Sequence, residues 1–355
     1  FRTIEFGPIT KMGSYVFADS TFLSNVTFGE GTEVIGDWAF VTAAMNLDSI
    51  TTEGISESNT RIARVVVPGT VKKIGEYAFL NAPNLLSADL DLSGVEEIGM
   101  GAFWLCKKVT DVDLRSVVNI GDYAFAESGI LSANLASAKQ IGVYAFSSSA
   151  LKELKIPAVE RIGANSFGNT QIESLTIPKE FNSLTYLDSW VKISDFGDEV
   201  PRTDRYLYSF GAAAFAYNLS LKTITVEEGN PTYFTDEFGV LYGVVSGTKE
   251  SGKYVLLTYP VGNIHNPNNS YTVLENTVRV GDGALYGVQG LDEIHFPDTV
   301  KEIGSLAFFN CSARHYYFTS VQAPVLEAAY DETVANVISE LYAYRLGMFY
   351  SNFYN

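Results

Sequence analysis

The chain has 355 residues, of which 46% are hydrophobic and 13% aromatic against 18% charged, a balance that excludes a disordered polymer. Its 41 acidic residues outnumber 24 basic ones, and the formal net charge of −17 repels nucleic-acid phosphates and anionic headgroups. No uninterrupted apolar run is long enough to cross a bilayer, so neither nucleic acid nor a transmembrane segment is expected.

A six-residue string, Ile-Gly-x-x-Ala-Phe, recurs along the chain. A loose copy, Met12-Gly13 to Phe17, comes first. Ile35-Gly36 to Phe40, Ile74-Gly75 to Phe79, Ile98-Gly99 to Phe103, Ile120-Gly121 to Phe125 and Ile141-Gly142 to Phe146 follow. Ile162-Gly163 to Phe167 carries Ser166 for alanine, Phe210-Gly211 to Phe215 and Val280-Gly281 to Leu285 are looser, and Ile303-Gly304 to Phe308 closes the set. Intervals between successive glycines cluster at 21 to 24 residues, the spacing of a stacked array.

After each phenylalanine comes apolar-x-x-apolar-x-apolar, often closed by proline, as in Ile62 to Pro68, Leu151 to Pro157, Ile172 to Pro178 and Leu291 to Pro297. Its period-two end predicts a short β-strand, and proline stops the strand because it has no N–H to give a ladder. One strand per repeat predicts a stacked parallel sheet. A coil of this size cannot bury its own apolar edge, so neighbours must share a core into which Ile and Phe point. The glycine suits either a positive φ or a close approach by the next coil.

These strings resemble the BspA-like class of leucine-rich repeats, found in bacterial surface proteins. The resemblance implies a right-handed leucine-rich-repeat solenoid, a secreted or cell-surface location, and binding to a protein or glycan. It also implies that Cys106 and Cys311, at the family's Phe-x-x-Cys position, close turns by packing. Two cysteines are too few for a disulfide framework and lack zinc-ligand spacing. No charged-then-apolar leader opens the chain, and Phe1 falls inside a repeat, so an upstream part, including any export signal, and any envelope anchor are expected outside this chain.

Three intervals are long. Between Gly36 and Gly75 a second strand fits at Leu47 to Thr52, predicting one coil without its Phe string. After Pro178 an aromatic-rich insertion, residues 179 to 210, holds Phe181, Tyr186, Trp190, Phe196, Tyr206 and Tyr208. These rings either project as a binding surface or pack onto neighbouring coils. Residues 228 to 275 read as strands separated by turns, the β-hairpin unit of the resemblance, kept within one solenoid over residues 1 to 318. After Phe318 the repeat stops. Val334, Val337, Ile338, Leu341 and Tyr344 or Arg345 form a helical stripe, which predicts a C-terminal cap over residues 319 to 355. The expected class is therefore an α/β-type repeat protein with short strands, a hairpin insertion and a helical cap.

No catalytic constellation stands out. His265, His295 and His315 are scattered, although the last two fall on successive strands as expected outward neighbours. No nucleophile elbow, phosphate loop or His-Glu-x-x-His is present, and no cofactor is expected. Alternation along the strands does predict a polar outward face. Its columns run Asn25 and Thr27, Ser49 and Thr51, Arg64 and Val66, Ser87 and Asp89, Asp111 and Asp113. They continue with Ser132 and Asn134, Glu153 and Lys155, Ser174 and Thr176, Thr223 and Thr225, and Glu293 and His295. The face is either the ligand side or merely solvated. Its ligand-binding candidates are Asp89, Asp111, Asp113, Asn134, Glu153 and Lys155, beside Tyr186, Trp190, Tyr206 and Tyr208 of the insertion. Asp89, Asp91, Asp111 and Asp113 on adjoining strands would repel one another, so Arg115 and nearby lysines answer them or a calcium ion does.

Overall fold

The computed structural model describes residues 2–41, 61–181, 191–192, 199–200, 214–215, 217–262, 269–304, 306–319 and 324–326. Isoleucine and phenylalanine of every clear string are buried, and the rings stack coil upon coil. Centroids of Phe17, Phe40, Phe79, Phe103, Phe125, Phe146, Phe167 and Phe215 follow one another at 5.0 to 5.5 Å with nearly parallel planes. Burying one such ring contributes roughly 1.5–3 kcal/mol, so this column is a substantial part of what holds the coils together.

Among the described residues most coils carry two strands, not the single one expected. Strands of the apolar-x-apolar element pair in parallel as Thr3–Glu5, Asn25–Thr27 and Arg64–Val66, as Ser132–Asn134 with Glu153–Lys155, as Ser174–Ile177 with Thr223–Val226, and as Ser270–Thr272, Glu293–Phe296 and His315–Phe318. A second sheet is built from the residues ending in the string's isoleucine: Val34–Ile35, Lys73–Ile74, Glu97–Ile98, Asn119–Ile120, Gln140–Ile141 and Arg161–Ile162.

Contrary to the α/β expectation, none of the described residues is α-helical, and the one helical turn is the 3-10 segment Ser87–Asp89. The cause lies in the Gly-x-x-Ala-Phe turn. The residue before alanine adopts positive φ, even when bulky: +55° at Trp38, +54° at Tyr77, +56° at Tyr123 and Tyr144. Alternate N–H groups then point along the stacking axis. Tyr77, Phe79 and Asn81 donate to the carbonyls of Met100, Ala102 and Trp104 in the next coil while Ala78 and Leu80 close only i→i−3 turns, so no continuous α-helical ladder forms. Left-handed backbone costs a non-glycine residue about 1–3 kcal/mol, offset here by stacking among the same side chains. Trp38 lies 4.1 Å from Tyr77, and Tyr123 lies 5.1 Å from Trp104 and 5.0 Å from Tyr144.

The string glycine serves close approach and not positive φ. A β-carbon on Gly121 would stand 2.5 Å from the amide nitrogen of Met100 in the preceding coil, closer than packed atoms come.

No coil lies between Phe40 and Phe79. Asn25–Thr27 pairs directly with Arg64–Val66, and residues 42–60, including the expected strand at Leu47 to Thr52 with Ser49 and Thr51, lie outside the described residues. Beyond Pro178 the flanking strands likewise meet, Ser174–Ile177 pairing directly with Thr223–Val226. Phe181 belongs to the core: it is 2% exposed and stacks on Tyr233 at 5.3 Å. Within the insertion, Val191–Lys192 and Glu199–Val200 form an antiparallel pair.

The hairpin unit consists of Tyr233–Thr235, Leu241–Ser246 and Lys253–Thr258 in antiparallel order, joined in parallel to Thr277–Val280 and Glu302–Ile303. Leu241 packs into the core of the preceding coils while Val240 and Tyr242 pack into the following one. The parallel stack also runs past Phe318, because Val325–Leu326 pairs with Glu302–Ile303. The expected helical cap has no support in the structure, and the stripe from Val334 to Arg345 lies outside the described residues.

Candidate functional site

The outward face of the first sheet places the predicted columns side by side, but its ladder breaks in the middle. Ser87–Asp89 forms a 3-10 turn and residues 109–114 join no strand pair. Aspartate side chains there bind their own backbone. Asp91 Oδ1 accepts the N–H of Ser93, and Asp113 Oδ1 accepts that of Arg115. Such local bonds, with low β-propensity, disfavour a ladder.

Three of the four carboxylates have separate partners, that of Asp91 being its own backbone. Arg64 donates to both oxygens of Asp89 through Nε at 2.7 Å and a terminal nitrogen at 3.0 Å. Arg115 holds Asp113 at 2.6 Å, and its hydrogen bonds keep that carboxyl below the ordinary range. Among the described residues no three potential ligands gather to hold a metal ion.

Several charges elsewhere are answered between coils. Lys72 meets Glu96 at 3.3 Å, Lys73 meets Glu97 at 2.5 Å, Lys139 meets Glu160 at 2.8 Å, Lys222 meets Glu173 at 2.9 Å and Arg314 meets Asp292 at 2.7 Å. Asp111, Asn134, Lys152, Glu153 and Lys155 differ. Among the described residues their side chains make no hydrogen bond or ion pair. Three of them line an open groove of about 360 Å³ formed by Thr110, Asp111, Leu131, Ser132, Lys152 and Glu153 from three successive coils. The groove therefore unites the predicted Asp111 and Glu153, with Asn134 and Lys155 on the adjoining outward column.

Leu131 and Lys152 escaped the sequence reading because they occupy the slot between the first inward and first outward positions, which alternation does not assign to either face. An exposed leucine there, repeated as Leu86, was the available signal. At the far end the histidines are not lateral neighbours as expected: register sets His315 opposite Glu293, and His295 opposite Tyr317, whose ring it meets at 4.6 Å. Tyr186, Trp190, Tyr206 and Tyr208 lie outside the described residues.

A family model described as "BspA type Leucine rich repeat region (6 copies)" matches residues 1–63, 72–189 and 265–332. The chain belongs to this family. Among solved structures, this BspA-type chain is similar to a leucine rich cell surface protein from Faecalibacterium prausnitzii, at 21% identity over 90% of this chain and 69% of that one, with a TM-score of 0.54. It is also similar to the pneumococcal vaccine antigen PcpA, at 19% identity and a TM-score of 0.49, covering 86% of this chain and 61% of PcpA. At these identities the first likeness establishes the fold. No curated relative matches the sequence. Among the described residues no helix is long and apolar enough to cross a membrane.

Proposed function

We propose that this BspA-type array is a non-catalytic binding or adhesion module, working at the cell surface or outside the cell, that recognises a protein or glycan through its outward strand face. The observation that carries the reading is the gathering, at one concavity formed by three successive coils, of Asp111, Lys152 and Glu153, whose side chains make no hydrogen bond or ion pair among the described residues, with Asn134 and Lys155 on the adjoining column. Polar groups left unpaired at an open concavity are free to exchange water for a ligand's groups. Family membership and the cell-surface description of the F. prausnitzii protein support the location. Tyr186, Trp190, Tyr206 and Tyr208 of the insertion form a second candidate surface, since insertions on one side of a solenoid often carry binding.

The test is a binding screen against matrix proteins and a glycan array. It compares the wild type, the double variant Asp111→Ala/Lys152→Ala, and a chain with residues 182–208 replaced by a short linker. Loss in the double variant places the ligand at the groove, and loss only in the deletion places it on the insertion. No binding by any form favours the alternative role, a structural spacer in a larger envelope protein.

A further inference from the structure

We propose that the hairpin unit is a joint dividing the array into two separately cooperative units, so that the C-terminal coils open and close while the coils that form the groove stay folded. Among the described residues, no strand up to Val226 shares a ladder with a strand from Tyr233 onward. On the N-terminal side the outward sheet ends where Ser174–Ile177 pairs with Thr223–Val226. On the C-terminal side a new outward sheet begins at Ser270–Thr272. The hairpin strands belong to that side: their ladder continues through Thr277–Val280 and Glu302–Ile303 to Val325–Leu326. The groove, from Thr110 to Glu153, lies wholly in the first unit.

The core divides at the same place. Ser174–Ile177 alternates buried and exposed residues, whereas Leu241–Ser246 and Lys253–Thr258 bury residues on both faces. Tyr233 and Leu241 join the hydrophobic cluster that runs back through Ile224 and Phe215 to Met12, and Leu257 packs against it. Phe234, Tyr242 and Leu256, aligned across the three strands, meet a separate cluster with Tyr271, Val280, Ile294 and Phe308. The hairpin is thus a wall with a different core on each side. Toward the second unit it is fastened by its ladder and by the hydroxyls of Tyr242 and Tyr271, 2.6 Å apart. Toward the first, Asn230 donates to the Pro178 and Phe181 carbonyls at 2.8 Å, and the Gly262 N–H to the Leu221 carbonyl at 2.7 Å, with no shared ladder among the described residues. Cooperativity in a solenoid passes through nearest-neighbour interfaces, so it is weakest across this one. The second unit is the one to open, because its phenylalanine slot holds Leu285 where the first unit stacks rings from Phe17 to Phe215.

The test follows amide hydrogen exchange by mass spectrometry in the full chain over a series of low urea concentrations. In the wild type, residues 270–303 should lose protection at lower urea than residues 62–177. Two mild core variants then locate the seam, Phe125→Leu in the first unit and Ile294→Val in the second, each checked by circular dichroism. Ile294→Val should speed exchange on the order of fivefold across 254–258 and 270–303 and leave 62–177 and 223–226 within about twofold of the wild type. Phe125→Leu should do the converse. Should one variant fail to fold, the other still reads the seam from its own side. A speed-up of equal size on both sides of the hairpin overturns the proposal, because the array is then one cooperative body. A speed-up confined to the coils touching the substituted side chain overturns it as well, because the hairpin then interrupts nothing that ordinary coils transmit. Earlier loss of protection in 62–177 than in 270–303 would refute the assignment of the opening unit.

Discussion

The ring of Tyr77 fills the space in which a side chain at Gly101 would begin: a β-carbon there would lie 2.5 Å from Cδ1 and 2.6 Å from Cε1 of the tyrosine. Gly101 holds φ +57°, in the slot that other coils give to Trp38, Tyr123 and Tyr144. Gly101→Ala is therefore expected to destabilise by about 1–3 kcal/mol through overpacking. Pairing it with Tyr77→Ala should make the two costs sub-additive in a double-mutant cycle of chemical denaturation. Strict additivity would contradict the shared space.

Phe125 stacks between Phe103 at 5.2 Å and Phe146 at 5.3 Å and is wholly buried. Truncation to alanine should cost about 3–5 kcal/mol, measured by urea titration, because neither adjacent coil can close the void without moving its own ladder. Arg64→Ala, which breaks the solvent-screened pair with Asp89, should leave the unfolding midpoint nearly unchanged in the same assay.

Burial pushes the Cys106 thiol up to about 12, and its sulfur lies 3.1 Å from the Phe79 carbonyl. At pH 8 it should resist maleimide until the array unfolds, since the thiolate is the reactive species. Labelling followed by mass spectrometry across a urea series checks this. Modification at Cys106 well before the unfolding midpoint would show that the coil opens locally.

Asp236 accepts the Tyr271 hydroxyl at 2.7 Å and the N–H groups of Phe238 and Val240, while Tyr271 and Tyr242 share a 2.6 Å bond. Burial raises the Asp236 carboxyl above its ordinary 3.8. Folding therefore favours the protonated form. That contribution is whole below about pH 4 and is lost as pH rises through the elevated value. Relative to Asp236→Asn, the wild type should lose melting temperature between pH 4 and 7. A parallel pair of melting curves would refute the assignment.

Replacement of residues 182–208 by a short linker should leave the melting temperature nearly unchanged, because the coils on either side pair directly and Phe167 meets Phe215 at 5.2 Å. A large fall would make the insertion a structural part of the array.

The inward residues were legible because a repeated Ile, Gly and Phe leave one solution, a shared spine. The second strand was not, since Lys73–Ile74 and its counterparts are two residues long and show no alternation to read. Residues 47–52 match the strand pattern, yet a pattern states what a segment resembles and not whether neighbours leave it a place. Left-handed backbone at Trp38 or Tyr77 runs against the preference of bulky side chains, so nothing in those letters announces it. At the groove, Asp111 and Glu153 were visible as outward residues. Their lack of partners was not, because pairing depends on lateral register between residues more than twenty positions apart, as in Arg64 with Asp89.

Since Phe103 and Phe125 each stack on the ring before and the ring behind, tension applied along the array is carried from coil to neighbouring coil. Coils should peel away one after another at similar force, giving a sawtooth extension trace with steps of a single repeat's contour length. A surface protein built this way yields gradually under shear and re-forms from whatever coils remain stacked.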